Sequence, residues 1–494
     1  MKFTKKQSDR MEINLMLLSN LLNNVAVKNE YEDCDIKDIK CNSNDNLNNC
    51  LFFCIKGNKQ DGHSFFHNAL KKGAVYVVTE KDLEIDNQII VSDTREAYAI
   101  ACANYFGNPA KDMKLCAVTG TNGKTSVATI TKRILELSGQ KVGLISTIAA
   151  EYNGKTIPVS NTTPDAYEFH RILNLMRNDG INIVCLEASS HGLDQKRLFG
   201  VRFSVAIFTN LTQDHLDYHK NMVEYYNAKK KLFYVSDCAV INIDDEYGKR
   251  LASEVTIPVK KCSIKDIKAD YVAEEIILKC NEVSYYIRNN DIKCKMIYCS
   301  SGEYSVENSM LAAVACFELG LSVSAVAEGL YFVGNVKGRN EVIAKTKDFS
   351  VVCDYAHTPD ALENLLISTK KYVTGRIILV FGCGGDRDKT KRSIMGKIAT
   401  EYADLTVITT DNPRTEPPKA IMGDIIKGIK SGSRFIAIQD RPTAIKYAIS
   451  NAKKGDIVLL VGKGHEEYQV LGNKKIYFDE RRLVHGIIRN MGIK

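Results

Sequence analysis

The sequence lacks the features that mark membrane-spanning and exported proteins. Among its 494 residues no apolar run approaches the roughly 18 residues that a membrane helix needs, and the stretch from Leu15 to Leu22 is interrupted by Ser19 and Asn20. A basic tail is also missing, because the net charge of +8 is spread along the chain. We therefore expect no signal peptide, no membrane insertion and no nucleic-acid partner, and the mild basic excess suits an anionic small substrate.

Cysteine is abundant, yet the pairs that bind zinc are absent. The 15 cysteines include no CxxC pair, and several lie within apolar strand-like runs, among them Cys116, Cys185 and Cys353. Cysteine in such runs behaves as a small hydrophobic residue, which favours reduced thiols and a cytoplasmic location. The cysteines between residues 41 and 54 match no standard zinc spacing, and we interpret them as structural.

Length and composition predict three globular domains. At about 150 residues per domain a chain of 494 residues holds about three, and 45% hydrophobic residues supply several packed cores. We predict a small N-terminal α/β domain over 1–109, a central domain over 110–336 and a C-terminal, Rossmann-like domain over 337–494. The last two alternate short apolar runs with amphipathic stretches, a pattern typical of βαβ units and a mainly parallel sheet.

Unusual polar sequences follow the predicted strands of both larger domains. In an open parallel sheet, ligands bind beyond the carboxyl ends of the strands, so two sheets that each present such loops can share one cleft. In chain order the motifs are GTNGKT, EASSHG and TNLTQDH in the central domain and GCGGDRD, DNPR and GKGHEE in the C-terminal domain.

The first motif predicts a loop that binds the phosphates of ATP. Small residues between a strand and a helix let backbone N–H groups surround phosphate oxygens, while Lys124 can reach the β- and γ-phosphates and the Thr125 hydroxyl can ligate Mg²⁺. The loop is a shortened variant, since the full Walker spacing would place glycine where Val118 stands. The predicted phosphate contacts are Gly120, Thr121, Asn122, Gly123, Lys124, Thr125 and Ser126.

Two further side chains of the central domain are candidate metal ligands. Glu187 leaves a buried strand, where an unpaired carboxylate is costly unless it meets a cation, although it could equally be a capping or ion-paired residue. His215 lies in TNLTQDH, but an isolated histidine is more often a hydrogen-bonded surface or core residue. Lys229 lies in NAKKKLF, whose spacing alone predicts no more than a solvated lysine face.

The C-terminal motifs indicate a zwitterionic ligand. Arg387 and Arg414 place two permanent cations at neighbouring strand ends, and guanidinium groups pair bidentately with carboxylates, although each could instead form a salt bridge with a nearby aspartate. Gly462 allows close backbone approach, and Glu466 can pair with an ammonium group. An amino acid with a free carboxylate fits both signs of charge.

Nine ordered blocks between residues 43 and 470 together resemble the Mur ligases, and within them the branch that adds the third residue of the peptidoglycan stem peptide. The resemblance implies three domains that hold the UDP group, ATP and the incoming amino acid. It also implies ATP-driven amide synthesis, in which the carboxylate of UDP-N-acetylmuramoyl-L-alanyl-D-glutamate becomes an acyl phosphate that the amine attacks. The blocks are GTNGKTS, EASSHGLDQKR, TNLTQDHLDYH, AKKKLF, GRNE, CDYAHTPDALE, GCGGDRDKTKR, DNPRTEPP and GKGHEEYQ.

The resemblance also implies roles for individual residues. A catalytic set would comprise Lys124, Glu187, His215 and Lys229, the last as a CO₂-derived carbamate whose anionic oxygens can ligate Mg²⁺ together with Thr125, Glu187 and His215. ATP would also contact Asn308, Arg339 and Asp354. The UDP-muramoyl dipeptide would contact Ser43, Asn161, Thr162, Thr163, Ser189, Gln195 and Arg197. The amino acid would contact Arg387, Asp411, Asn412, Pro413, Arg414, Gly462 and Glu466.

The identity of the amino acid is predicted from DNPR. Relatives that use meso-diaminopimelate carry this arginine, here Arg414, and diaminopimelate has a second carboxylate that lysine lacks. Two blocks depart from the family patterns. Where the family has DSRxVxPGDLF near the N-terminus, this chain keeps the serine, Ser43, and lacks the arginine and the Pro-Gly pair. Where the family has FNxxN, residues 304–308 read YSVEN, so one of the two asparagines remains. A paralogue that ligates L-lysine or another amino acid therefore remains an alternative.

Two rival functional classes fit the chain less well. A folyl-polyglutamate or cyanophycin type of ligase is not expected to carry DNPR and GKGHEE together, and an ATP-driven switch or motor needs neither a zwitterion site nor Lys229. We expect a monomeric cytoplasmic enzyme.

Overall fold

The N-terminal domain is a small α/β unit in the computed structural model, which describes residues 15–57 and 60–493. Four parallel strands form its sheet in the order β3-β4-β5-β6, and a two-stranded antiparallel ribbon joins β1 to β2. Buried apolar side chains such as Leu51, Phe53 and Val78 pack the sheet against the helices. The elements are β1 (Met16–Leu17), α1 (Leu18–Leu21), β2 (Asp35–Ile36), β3 (Asp38–Lys40), β4 (Cys50–Phe53), α2 (Phe66–Lys71), β5 (Ala74–Thr79), β6 (Gln88–Ile90) and α3 (Thr94–Tyr105).

The first half of the central domain builds the parallel core of an 11-stranded sheet. Its strands are hydrophobic almost throughout because helices cover both faces, as parallel sheets require. The elements are β7 (Lys114–Thr119), α4 (Lys124–Leu137), β8 (Val142–Ile145), β9 (Ala150–Tyr152), β10 (Lys155–Ile157), α5 (Ala166–Asn178), β11 (Ile183–Glu187), α6 (Ser190–Asp194), β12 (Phe203–Phe208), α7 (Leu216–His219), α8 (Met222–Lys230), β13 (Ser236–Asn242) and α9 (Glu246–Glu254).

The second half of the central domain extends that sheet with antiparallel strands. The full order is β10-β9-β8-β11-β7-β12-β13-β14-β15-β16-β17, in which β8 to β15 are parallel neighbours and both edges are antiparallel. The elements are β14 (Val259–Ser263), β15 (Tyr271–Lys279), β16 (Glu282–Arg288), β17 (Lys293–Tyr298), α10 (Glu303–Glu318) and α11 (Val323–Phe332).

The C-terminal domain is a second open sheet, of six strands in the order β18-β19-β23-β20-β21-β22, and only β18 is antiparallel to its neighbour. The elements are β18 (Glu341–Lys345), β19 (Ser350–Asp354), α12 (Pro359–Lys370), β20 (Ile377–Phe381), α13 (Thr390–Tyr402), β21 (Leu405–Ile408), α14 (Pro418–Ile426), β22 (Phe435–Ala437), α15 (Arg441–Asn451), β23 (Ile457–Val461), β24 (Tyr468–Leu471), β25 (Lys474–Tyr477) and α16 (Glu480–Asn490).

The predicted α/β class and the mainly parallel sheets are confirmed, whereas the domain boundaries stay a prediction. The strands β15, β16 and β17, which pair with one another antiparallel, were not among the predicted elements, although β15 from Glu274 onward alternates half-buried and exposed residues as an amphipathic strand does. Cys116, Cys185 and Cys353 are fully buried free thiols, as expected. Within the described ranges, no helix has the length and apolar character needed to cross a bilayer.

Candidate active site between the central and C-terminal domains

A cleft of about 1180 Å³ runs between the strand-end loops of the two larger domains. The two sides touch at Asp360, at the start of α12, whose Oδ2 accepts hydrogen bonds from Asn122 Nδ2 at 3.0 Å and Thr212 Oγ1 at 3.2 Å. All six polar motifs contribute lining residues. The cleft therefore brings together six motifs that are spread over several hundred residues of the sequence.

The phosphate loop is shaped by two glycines at positive φ. Gly120 lies at φ 146° after β7, and a side chain there would collide with Thr209 and approach the Asn210 carbonyl. Gly123 lies at φ 86° as the N-cap of α4, and a side chain there would strike Asn308. Only glycine allows both conformations without these clashes, so the loop exposes backbone N–H groups ahead of the positive end of α4.

Lys124 and Lys229 converge on one carbonyl oxygen. Lys124 Nζ donates to the Gly120 and Thr121 carbonyls at 2.9 and 2.8 Å, and Lys229 Nζ donates to the Gly120 carbonyl at 2.7 Å. The Lys229 side chain is 1% exposed and packs over the Tyr225 ring at 4.6 Å. Burial, with the nearby charge of Lys124, holds the pKa of Lys229 well below its usual value, so the neutral amine is favoured.

The lysine of NAKKKLF that faces the site is thus a buried one, contrary to the solvated lysine face that its spacing predicts. Lys230 instead pairs with Glu254 at 2.7 Å, and Lys231 pairs with Asp194 at 2.7 Å. The three consecutive lysines at the end of α8 and just after it therefore have three different partners, and of the three only Lys229 reaches the phosphate loop.

Glu187 is buried beside the phosphate loop and is held by neutral donors. Its Oε1 accepts from Thr125 Oγ1 at 2.8 Å and from the Thr147 N–H at 2.9 Å, while Thr147 Oγ1 donates to Oε2 at 3.1 Å. Thr147, which the sequence analysis missed, comes two residues after the end of β8, and that position near a strand end is the signal that could have found it. A buried carboxylate without a cationic ion-pair partner among the described residues suits a divalent cation.

His215 lines the same cleft as Glu187 and has a left-handed backbone conformation, with φ 54°. Its Nε2 is 3.4 Å from Asp214 Oδ2, and its ring lies edge-on to His191 with centroids 4.9 Å apart. The His215 side chain is 43% exposed, yet desolvation within the cleft, opposed by Asp214 and reinforced by His191 and the two lysines, lowers the pKa of His215 to about 4, so the neutral imidazole is favoured. In the described part of the chain no three His, Cys, Asp or Glu side chains form a ready metal site.

The residues expected to hold ATP line the same cleft. Arg339 donates through Nη2 to Thr125 Oγ1 at 3.0 Å and stacks over the Tyr355 ring at 4.5 Å. Asp354 accepts from the Asn340 and Ala356 N–H groups at 2.6 and 2.7 Å, and burial raises the pKa of this carboxyl. Asn308 lies beside Gly123 on α10.

Glu307, next to Asn308 on α10, is a cleft residue that the sequence analysis missed. Burial, together with Asp244, raises the pKa of Glu307 to about 7. Glu307 occupies a variable position of the FNxxN pattern, and its residue type alone did not reveal that it lines the cleft.

Six of the seven residues predicted for the muramoyl substrate lie near the cleft. Asn161, Thr162, Ser189 and Arg197 line it, whereas Thr163 is fully buried behind them, with Oγ1 bonded to the Glu187 carbonyl at 2.8 Å. Arg197 donates to the Thr163 carbonyl at 2.6 Å and to Gln195 Oε1 at 2.8 Å, so these side chains form one network. Ser43 lies apart in the N-terminal domain, where its carbonyl accepts from Lys72 at 2.6 Å.

The seven residues predicted for the amino acid gather at the C-terminal wall. Arg387 is exposed to the cleft, and Arg414 is half-buried with Nη1 donating to the Gly385 carbonyl at 2.8 Å. Asp411, Asn412 and Pro413 are buried beneath them. Gly462, at φ 112°, and Glu466 complete the wall opposite the phosphate loop.

Comparisons with known proteins match the chain to one family. Three family models match in order: the Mur ligase family catalytic domain over residues 35–109, the Mur ligase middle domain over 118–316 and the Mur ligase glutamate ligase domain over 338–464. A Clostridium tetani protein named UDP-N-acetylmuramoyl-L-alanyl-D-glutamate–2,6-diaminopimelate ligase is 41% identical over 484 residues, covering 95% of this chain and 99% of that protein. A Clostridium acetobutylicum relative of the same name is 43% identical over 446 residues, covering 89% and 92%.

A solved structure of the same name superposes with a TM-score of 0.71 at 29% identity, covering 97% of this chain and 100% of the other. The agreement extends over all three domains. From the matched models and the identity over nearly the whole length, the chain belongs to the Mur ligase family.

Proposed function

We propose that this Mur ligase adds meso-diaminopimelate to UDP-N-acetylmuramoyl-L-alanyl-D-glutamate at the expense of ATP, in peptidoglycan precursor synthesis. The observation that supports this most directly is that one cleft contains both the phosphate loop and the DNPR and GKGHEE residues. Relatives about 41% identical over most of the chain carry the name of that activity.

The chemistry requires an activated carboxylate. The glutamate carboxylate attacks the γ-phosphorus of ATP, which forms an acyl phosphate and releases ADP; the amino group then attacks the acyl carbon, and the tetrahedral intermediate expels phosphate. Lys124 exchanges its bonds with the loop carbonyls for bonds with phosphate oxygens, and Arg339 approaches from the C-terminal domain. These cations offset the charge that builds up where two anions meet.

Magnesium fits the residues beside the loop. Thr125, Glu187 and His215 would hold it, since a buried carboxylate, a hydroxyl and a neutral imidazole are suitable donors. When bound, the cation supplies neutralisation between the triphosphate and the attacking carboxylate. The fit is supported by the surroundings of Glu187. Among the described residues, its carboxylate accepts hydrogen bonds only from neutral donors, at 2.8 to 3.1 Å.

Lys229 would complete that set as a carbamate. Only a neutral amine attacks CO₂, and the lowered pKa of Lys229 favours that form. The product is an anionic oxygen ligand in place of an ammonium that would repel a metal. The Gly120 carbonyl, which now accepts from Nζ, can accept from the carbamate N–H instead.

The amino acid is assigned by charge. Diaminopimelate carries one more carboxylate than lysine, and Arg387 and Arg414 offer two guanidinium groups at the wall, while Glu466 can receive an ammonium group. The alternative is a paralogue that uses L-lysine or another amino acid. We further propose that the enzyme works as a monomer in the cytoplasm.

One experiment separates these possibilities. The purified chain is incubated with ATP, Mg²⁺, the UDP-muramoyl dipeptide and each of a panel of amino acids, and the products are weighed by mass spectrometry while phosphate release is followed. We expect phosphate release only with both the dipeptide and diaminopimelate, and a product heavier by one diaminopimelate residue. A product formed with lysine alone favours the paralogue, and ATP hydrolysis independent of both substrates would remove the ligase assignment.

A further inference from the structure

Lys463 is a buried cation beneath the amino-acid wall, and no motif assignment gave it a role. Its side chain has 0% exposure, and Nζ donates to Glu466 Oε2 at 2.9 Å, to Asn412 Oδ1 at 3.0 Å and to Asp411 Oδ1 at 3.3 Å. All three acceptors belong to the residues expected to contact the amino acid. The three N–H groups of the ammonium are therefore fully used.

A lysine buried this completely is expensive unless it is paired, because desolvation of the ammonium costs several kcal/mol. An apolar residue would fill the same space without that cost. The pairing is thus better explained by what the ammonium imposes on its neighbours than by a gain in stability, since buried ion pairs contribute little net stability compared with apolar replacements.

The ammonium fixes the orientation of the Asn412 amide. Oδ1 accepts from Lys463 and from the Val470 N–H at 2.9 Å, so the amide cannot turn over without losing both bonds. Nδ2 in turn donates to Glu466 Oε2 at 2.8 Å, which leaves one of its two hydrogens for a ligand. Val470 lies on β24, so the same contact ties the DNPR loop to the β24–β25 hairpin.

The ammonium also sets the charge and direction of Glu466. Both donors approach Oε2, from Lys463 and Asn412, whereas Oε1 receives only a long bond of 3.4 Å from the Tyr468 hydroxyl. One carboxylate oxygen is thereby anchored and the other is kept for the cleft. Asp411 and Glu466 carry two negative charges against one from Lys463, so the cluster retains one formal negative charge for an incoming ammonium group.

We propose that Lys463 is a positioning residue that orients Glu466 to receive an ammonium group of the amino-acid substrate and Asn412 Nδ2 to donate to a carboxylate of the same ligand. This inference rests on the proposed function, because it takes the C-terminal wall as the amino-acid site. Lys463 does not touch substrate; it acts through the two side chains that do.

The test measures steady-state kinetics of the full chain with Lys463→Met and Lys463→Gln. We expect the KM for diaminopimelate to rise about 30-fold or more in Lys463→Met and about tenfold in Lys463→Gln, which keeps polar contacts without the charge. The KM values for ATP and for the UDP-muramoyl dipeptide should stay within threefold. A diaminopimelate KM unchanged in both variants would overturn the proposal.

A control variant separates positioning from stability. Arg376 donates to Asp456 at 2.7 Å, and Asp456 is buried, but this pair lies at the opposite, amino-terminal edge of the same sheet. Arg376→Met should lower the melting temperature comparably and leave the diaminopimelate KM unchanged. If it raises that KM as much as Lys463→Met does, the effect is general destabilisation and the inference is wrong.

Two further readouts keep the inference distinct from the proposed function. In a double-mutant cycle, Lys463→Met should add little to Glu466→Gln, since both act through one carboxylate; fully additive effects would contradict the proposal. If wild-type chain forms no product with diaminopimelate, the proposed function fails. If the wild type is active and the Lys463 variants keep its diaminopimelate KM, only the present inference fails.

Discussion

The central and C-terminal domains surround their enclosed basic side chains in opposite ways. In the central domain Lys124 and Lys229 bond only to backbone carbonyls, and no carboxylate in the described ranges forms an ion pair with either. Among the described residues of the C-terminal domain, each fully buried cation is neutralised, in the pairs Lys463 with Glu466 at 2.9 Å, Arg441 with Glu480 at 2.7 Å and Arg392 with Glu416 at 2.8 Å.

The difference teaches what each region is built to do. A buried base without a counter-ion has a lowered pKa and is ready either to react as a neutral amine or to receive an anion such as phosphate. A buried cation with its counter-ions in place is electrically complete and holds loops in position, whereas the exposed Arg387 and the half-buried Arg414 line the cleft and can meet a ligand.

The largest expected effect follows from removing the unpaired amine. Lys229→Ala should lower kcat by about 10³-fold or more, because it removes a metal-ligand group, and an added short-chain carboxylate should restore part of the activity. Lys230→Ala is the matched control, since that lysine pairs with Glu254 and should keep near-normal turnover. Equal activity of both variants would contradict the role of Lys229, and so would an unmodified Lys229 amine in a well-resolved structure of the active enzyme.

The same lysine shows where sequence reasoning reaches its limit. The strands and the glycine-rich loops follow local rules of periodicity and turn chemistry, so the alternating elements and the six motifs at strand ends could be predicted. Which of three consecutive lysines is buried depends on Gly120, which lies 109 residues away from Lys229. Asp411 lies 52 residues from Lys463, and no pattern in either segment reveals that pairing.

The next effect tests the ligand-facing side of the contrast. Arg414→Ala should lower kcat/KM for diaminopimelate by roughly 10²-fold, as loss of a charged bidentate contact of about 3 kcal/mol would, because no buried cation replaces it. The exposed Arg482 on α16 provides the control, and Arg482→Ala should retain wild-type kinetics. Unchanged kcat/KM in Arg414→Ala would refute its contact with the second carboxylate.

His170 is another buried base of the central domain without an ion-pair partner among the described residues, and we expect it to lower the stability of the fold in acid. It is buried on α5, neither ring nitrogen has a hydrogen-bond partner, and burial lowers its pKa to about 4. The unfolded chain binds a proton below about pH 6.5 while the folded chain does not until about pH 4, so stability falls as pH drops through this window, by about 2 to 3 kcal/mol.

His170→Leu should remove much of that loss, which urea unfolding between pH 7 and 4 would measure. His485→Leu, at an exposed site on α16, controls for the loss of a histidine as such. An acid slope identical in wild type and His170→Leu would show that other groups govern the window.

The smallest expected effect concerns Glu307, a carboxyl that, like Lys124 and Lys229, has no ion-pair partner among the described residues. Glu307 forms no ion pair or hydrogen bond with any of the residues described here, and burial with Asp244, Glu303 and Asp245 nearby raises its pKa to about 7 against the weaker opposing charge of Lys265. Below that pH the neutral acid lines the nucleotide side of the cleft, and above it an uncompensated negative charge faces ATP.

The KM for ATP should therefore rise about threefold between pH 6.5 and 8.5 in the wild type, because anionic Glu307 repels the nucleotide at close range. Glu307→Gln, which keeps the shape and remains neutral, should show a flat KM for ATP over the same range and a wild-type value at pH 6.5. The diaminopimelate KM serves as the internal reference, since Glu307 lies on α10 and the amino-acid wall lies in the other domain. A parallel rise in both proteins would show that another titrating group sets the pH dependence of the KM for ATP, and Glu307 would then have no part in it.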